Sequence, residues 1–237
     1  MPRSPGGNGC CMAIPAEEST AAVTRVVLRP LATPLPMGIL ALAVATSVFG
    51  ALQLGWIPAT QGHVAGLTAV VLTAPLQLLA SVFGYLARDP VTATGMAILS
   101  GTWAMLGLTT LLSPPGATSA GLGVLLLVSA AAMLIPALVG MPKLAAAGVM
   151  ALTAVRFGVT GWYELTGASV AETAAGVVGI ALAVVAFYSA LALELEGAKR
   201  RTILPTGRRG PAAKAERGQK VFDSGELSRE PGIRPRL

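Results

Sequence analysis

From residue 30 to residue 87 the chain contains no Asp, Glu, Lys or Arg, and after Arg88 and Asp89 none recurs until Lys143. A chain folded in water has to cover its apolar interior with polar surface, and soluble domains carry about 25% charged residues to do so. Here 12% of the 237 residues are charged, 54% are hydrophobic, and the mean hydropathy is +0.70. An aqueous globular domain, a disordered chain and a disulfide-rich secreted domain are excluded. The expected fold class is all-α, a polytopic membrane protein.

A helix needs about 20 apolar residues to cross roughly 30 Å of hydrocarbon. Six such runs occur, at residues 36–57, 64–87, 91–112, 119–140, 144–163 and 171–193, each closed by Pro, Gly or charge. The first begins too late and runs too long for a cleaved signal peptide. Arg3, Arg25 and Arg29, then Arg88, Lys143 and the tail fall on one side of these six spans, whereas the loops around His63, Gly116 and Thr166 hold no Lys or Arg. By the positive-inside rule both termini are cytoplasmic, in a multi-pass protein of the plasma membrane. Residues 1–32 read as a disordered cytoplasmic segment, 33–197 as the transmembrane domain, and 198–237 as a basic disordered tail. Eleven of the 17 basic residues lie from Lys199 onward. That placement suits anionic lipid, so membrane lipid is an expected partner and nucleic acid is not. The adjacent Cys10 and Cys11 read as inert reduced thiols. No internal repeat is evident.

Small residues mark helix faces that approach closely in a membrane. Ala175, Gly176, Gly179 and Ala183 form such a helix-packing stripe in the sixth span. The first span opens on Thr33, Pro34, Leu35, Pro36, Met37, Gly38 and Ile39. Two prolines in three residues preclude regular helix there, which leaves two readings, a helix start or an irregular pore element.

The pattern resembles the acetate/succinate permease family, the YaaH-type acetate uptake transporters, and this chain reads as a divergent member. Thr33 stands where the family's first motif has Asn, while Pro34, Pro36 and Gly38 match it. Gln77 falls on the family's Gln, Trp103 on its third-helix Trp, and Ala175, Gly176, Gly179, Ile180, Ala186, Phe187 and Tyr188 on its sixth-helix stretch. Leu204, Pro205 and Gly207 follow as a family-like Leu-Pro-x-Gly. The resemblance implies a six-helix protomer with its own pore, assembled as a homo-oligomer (a hexamer), that passes small carboxylates. It places Leu42 and Leu99 where the family's constriction has aromatic rings, and Leu134 or a neighbour at its third position. Gly84 replaces a family Glu.

Arg156 belongs to this chain alone. It lies roughly 20 Å from one end of the fifth span and 12 Å from the other, a depth at which a guanidinium costs about 2.5–3.5 kcal/mol on insertion scales. Either it faces a watery path and offers paired hydrogen bonds to a passing carboxylate, or it snorkels outward or pairs with Glu164 or Glu172. The spans hold no Asp or Glu well inside hydrocarbon, and the one histidine, His63, lies in a loop. A metal site, a cofactor and enzyme chemistry are therefore not expected. Any proton that moves travels on the undissociated substrate, or the protein is a channel-like uniporter. The expected function is a transporter or channel for a small organic anion such as acetate or succinate. A structural or assembly membrane protein without a pore is the alternative. The two differ in whether Thr33, Gln77, Trp103 and Arg156 converge on one polar-lined channel, or scatter onto lipid-facing surfaces, in which case the pore reading loses.

Overall fold

The computed structural model describes residues 32–199 and 202–207, and the expectations for residues 1–31 and 208–237, Cys10 and Cys11 among them, lie outside the described residues. Six helices are long and apolar enough to cross a membrane: α1 Leu35–Gln53, α2 Ala59–Leu86, α3 Pro90–Leu112, α4 Ala120–Val139, α5 Leu144–Thr166 and α6 Ser169–Lys199. Local chemistry sets their ends. Pro36 sits in the first turn of α1, where its missing N–H is not needed. The first motif is thus a helix start. Asp89 opens α3 by accepting from the Thr92 N–H at 3.3 Å, and Ser119 opens α4 by accepting from Leu122. Gly55 and Gly167, at φ 71° and 64°, end α1 and α5. α1 therefore stops short of the apolar run's end at Ile57. α6 continues beyond residue 193, because Glu194, Glu196 and Lys199 are good helix formers and Lys199 suits a helix C-terminus.

The six helices form three antiparallel pairs, each sealed by the same device. A Cβ on Gly107 of α3 would lie 2.7 Å from the Gly66 carbonyl oxygen of α2, and one on Gly161 of α5 would lie 2.9 Å from that of Gly123 on α4. On Gly176 of α6, a Cβ would come within 3.2 Å of the Gly50 carbonyl of α1. The leucine one turn after the odd-helix glycine closes over its partner: Leu111 over Gly66, Leu165 over Gly123, Leu54 over Gly176. Without a hydrophobic drive between helices in lipid, such backbone approach is what holds them.

The recurrence extends along the helices. Buried residues of α3 fall 15, 14, 12, 11, 8, 7, 5, 4 and 1 positions before Gly107; those of α5 fall at the same offsets before Gly161. α1 repeats all of these about Gly50, with Ala41 added. On the even helices, Leu126, Met133, Pro136 and Ala137 of α4 correspond to Gly179, Ala186, Ser189 and Ala190 of α6. The α2 counterparts are Ala69, Gln77, Ala80 and Ser81, with the last three one residue late. A π-helical segment, Thr68–Thr73, absorbs that extra residue just ahead of Pro75, whose ring cannot donate the next helical hydrogen bond. The internal repeat that was not evident in the sequence is therefore a threefold structural one. The odd helices are the inner set: 61%, 44% and 56% of their apolar windows are buried, against 39%, 33% and 44% for the even ones.

The first described residues after α6 are held against α5. Residues 202–207 return to the bundle, where Thr206 and Gly207 accept from the backbone N–H groups of Ala145 and Leu144 at 3.2 and 3.3 Å. The N-terminus of α5 has no side-chain cap, so its first amides are available.

A Gly107→Val substitution tests the seal. Its side chain would press on the Gly66 carbonyl and on Ala69 and Val70, each within 2.8 Å of the new Cβ. Overpacking of this kind costs about 1–3 kcal/mol, and the expected outcome is a loss of that size in an SDS-titrated mixed-micelle unfolding curve.

Candidate functional site

The inner helices carry the site in layers. At the end that holds the His63, Gly116 and Thr166 loops lies a cavity of about 320 Å³ to which all six helices contribute. Phe49, Leu106 and Thr160, the residues directly before the three odd-helix glycines, line it together. One turn deeper, Trp103 and Phe157 occupy matching positions. Trp103 packs on Phe49 with ring centroids 5.6 Å apart and meets Phe157 edge-on at 5.9 Å. Leu42, Leu99 and Thr153 follow, eight positions before the glycines, and then Ile39, Met96 and Met150; all six are fully buried. At the other end a second cavity, about 180 Å³, opens among α1, α5, α6 and the returning segment. Leu35 and Ala146, fifteen positions before their glycines, line it with Thr33, Asp89, Lys143, Glu196 and Thr206. Between the two cavities stands a plug of layers about 21 Å deep at 1.5 Å per residue.

The expected third wall position, Leu134 or a neighbour, falls on α4. Leu134 is 49% exposed on α4, an outer helix, and points away from the interior; its buried neighbour there is Met133. The odd-helix repeat sets Thr153 of α5 level with Leu42 and Leu99, and all three are fully buried. The Thr153 hydroxyl donates to the Val149 carbonyl at 2.7 Å, which leaves its oxygen free to accept a hydrogen bond.

Arg156 is buried at 2% exposure, five positions before Gly161, where α1 has Ala45 and α3 has Thr102. It faces the seam between α5 and α6 and not the central layers. Nη1 donates to the Ala175 carbonyl and to Thr160 Oγ1, the latter at 3.0 Å. A Cβ at Gly179 would come within 3.0 Å of the guanidinium carbon. The expected packing stripe thus has a second duty: Gly176 seats α6 on α1, while Ala175 and Gly179 shape the pocket for the guanidinium. Ala183 is buried one turn further on. In the equivalent α3–α4 seam the hydroxyls of Thr102 and Ser129 meet at 3.0 Å. Among the described residues no carboxylate pairs with Arg156. Glu164 Oε2 instead accepts from the Ser119 N–H at 2.8 Å and, with Glu172, lines the outer cavity. A guanidinium keeps its proton, so the bundle holds a cation that Thr160 links to the cavity beside the His63, Gly116 and Thr166 loops, called outer only by its place beyond Phe49.

The other expected site residues separate by level. Thr33 lies at the inner cavity. Pro34, Pro36 and Gly38 are buried at the start of α1. A side chain on Gly38 would collide with Met96. Gln77 is fully buried; its Nε2 donates to the Gly38 carbonyl at 3.5 Å, and its Oε1 has no partner. Trp103 Nε1 is a second buried atom without a partner. Buried polar groups are almost always satisfied, so two orphans within the plug mark it as more than filler. Thr33, Gln77, Trp103 and Arg156 do not share one open polar channel; they are spread along a closed axis and its α5–α6 flank. Among the described residues no cluster of three or more His, Cys, Asp or Glu could hold a metal. Phe49, Thr153, Phe157 and Thr160 escaped the sequence reading. A signal for them did exist, the Gly-x-x-x-Leu spacing shared by Gly50, Gly107 and Gly161.

A solved structure described as that of the bacterial acetate channel SatP superposes on this chain with a TM-score of 0.66. The likeness covers 75% of this chain and 99% of that one, at 21% identity. The two share a fold. No family model and no curated protein sequence matches the chain. Six apolar spans together with this shared fold make it a multi-pass membrane protein.

Proposed function

We propose that the protein is a channel or transporter for small carboxylates of the acetate and succinate class, that it works as a homo-oligomer in the plasma membrane, and that both termini are cytoplasmic. The observation that carries this reading is the pair of cavities at opposite ends of one set of layers, with an acid-free guanidinium beside them. A bundle that served only to pack would fill the space above Phe49, Leu106 and Thr160 and would not hold a cation at that depth. The fold shared with a channel for acetate supports the substrate class. Arg88 and Lys143 at one end of the spans, with the basic tail, support the orientation. The plug contains no carboxylate, so a proton that crosses does so on the acid itself.

The test is flux into liposomes that contain the purified protein, with labelled acetate, succinate and formate measured against imposed pH and voltage. Uptake that saturates and exceeds empty vesicles at least tenfold is the expected result. Flux equal to that of empty vesicles for all three acids rejects conduction and leaves the packing role.

A further inference from the structure

The returning segment, residues 202–207, has the makings of a removable strap. Among the described residues three hydrogen bonds hold it: the two to the α5 amides, at 3.2 and 3.3 Å, and one from the Tyr188 hydroxyl to the Pro205 carbonyl at 3.1 Å. Gly207 reaches α5 with φ 66°, and a Cβ there would lie 2.9 Å from Leu144 Cβ. Only glycine brings this carbonyl so near at that backbone angle. Thr206 is 5% exposed in the wall of the inner cavity, yet its Oγ1 has no hydrogen-bond partner. A buried hydroxyl without a partner weighs against the docked position, so the strap is seated with part of its bonding capacity unused.

What the strap covers has its own chemistry. Leu144 and Ala145 begin α5, where amides without an intrahelical partner and the helix dipole attract anions. Lys143 stands directly before them, its ammonium 3.8 Å from Asp89 and more than half exposed. We propose that residues 202–207 are a gate over the inner cavity, whose Thr206 and Gly207 carbonyls occupy the α5 amides that a small carboxylate takes when the strap lifts. Strap and anion then compete for one seat, formed by the Leu144 and Ala145 N–H groups and the Lys143 ammonium. The nature of the anion rests on the proposed carboxylate conduction; the movement of the strap does not.

Two full-length variants loosen the strap without touching the plug, Tyr188→Phe and Gly207→Ala. In detergent, amide hydrogen exchange at Leu144 and Ala145 is expected to quicken at least fivefold in both, and added acetate to slow it again. In liposomes both variants are expected to pass acetate three- to tenfold faster than wild type. Unchanged exchange in both variants overturns the strap, as does faster exchange without faster flux. Exchange that acetate does not slow overturns the shared seat. A wild-type protein that conducts nothing rejects the proposed function instead, while the exchange measurement still reports on the strap.

Discussion

Replacing Arg156 by Gln is expected to lower acetate flux at least tenfold while the protein still folds. Gln can keep one hydrogen bond to the Ala175 carbonyl or to Thr160 Oγ1, so the α5–α6 seam retains a polar tie. What it removes is the charge. A unit charge pair is worth about 4 kcal/mol at 4 Å and about 2 kcal/mol at roughly 8 Å, a separation that suits a charge beside the route, at an effective dielectric near 20, and desolvation of the carboxylate offsets a share of that. A remainder of about 1.4 kcal/mol already gives the tenfold change. Arg156→Lys separates charge from shape, because an ammonium keeps the field and loses the planar fork that reaches Ala175 and Thr160 together. Its flux is expected to fall between those of wild type and Arg156→Gln. Stability should move in the opposite sense, since an unpaired buried cation is costly and Gln is not. Flux in Arg156→Gln equal to wild type, in protein of unchanged oligomeric state, makes the guanidinium a packing element.

The six spans were legible because they are written locally: an apolar run of the right length, then Pro, Gly or charge. The limits of that reading show at the helix ends. α1 turns at Gly55 although the apolar run continues to Ile57, and α6 passes residue 193 because helix propensity carries it through Glu194 and Glu196. Arg156 was legible as a buried cation from its depth alone. Its seat was not, since the Ala175 carbonyl and the space at Gly179 belong to another helix. That Met133 is buried and Leu134 exposed was hidden for the same reason. Whether a span lies inside or outside the bundle is decided by which helices pair, and Gly123 and Gly161 set that pairing through a contact that leaves only a glycine and a leucine four residues apart in the sequence. The π-helical residue in α2 hides the repeat further, for it sets Gln77 one step out of register with Met133 and Ala186.

Enlarging Thr153 is expected to stop conduction. Leu42, Leu99 and Thr153 are the fully buried members of one layer, and Thr153 is the smallest and the one polar side chain among them. Its hydroxyl proton is committed to the Val149 carbonyl, so it can accept a hydrogen bond and has none to give. A protonated carboxylic acid can donate to it, while an anion finds no donor at this level; this agrees with a proton that travels on the substrate. Thr153→Phe fills the layer, and flux of acetate, formate and succinate is expected to fall tenfold or more. Overpacking of about 1–3 kcal/mol accompanies it, so thermal unfolding and size-exclusion profiles must show a folded protein. Thr153→Ala provides the opposite arm: the layer widens, and succinate flux relative to acetate is expected to rise at least threefold. If the Phe variant conducts like wild type and the Ala variant leaves the succinate-to-acetate ratio unchanged, the route does not pass between α1, α3 and α5. The α5–α6 seam beside Arg156 would then be the remaining course through the bundle.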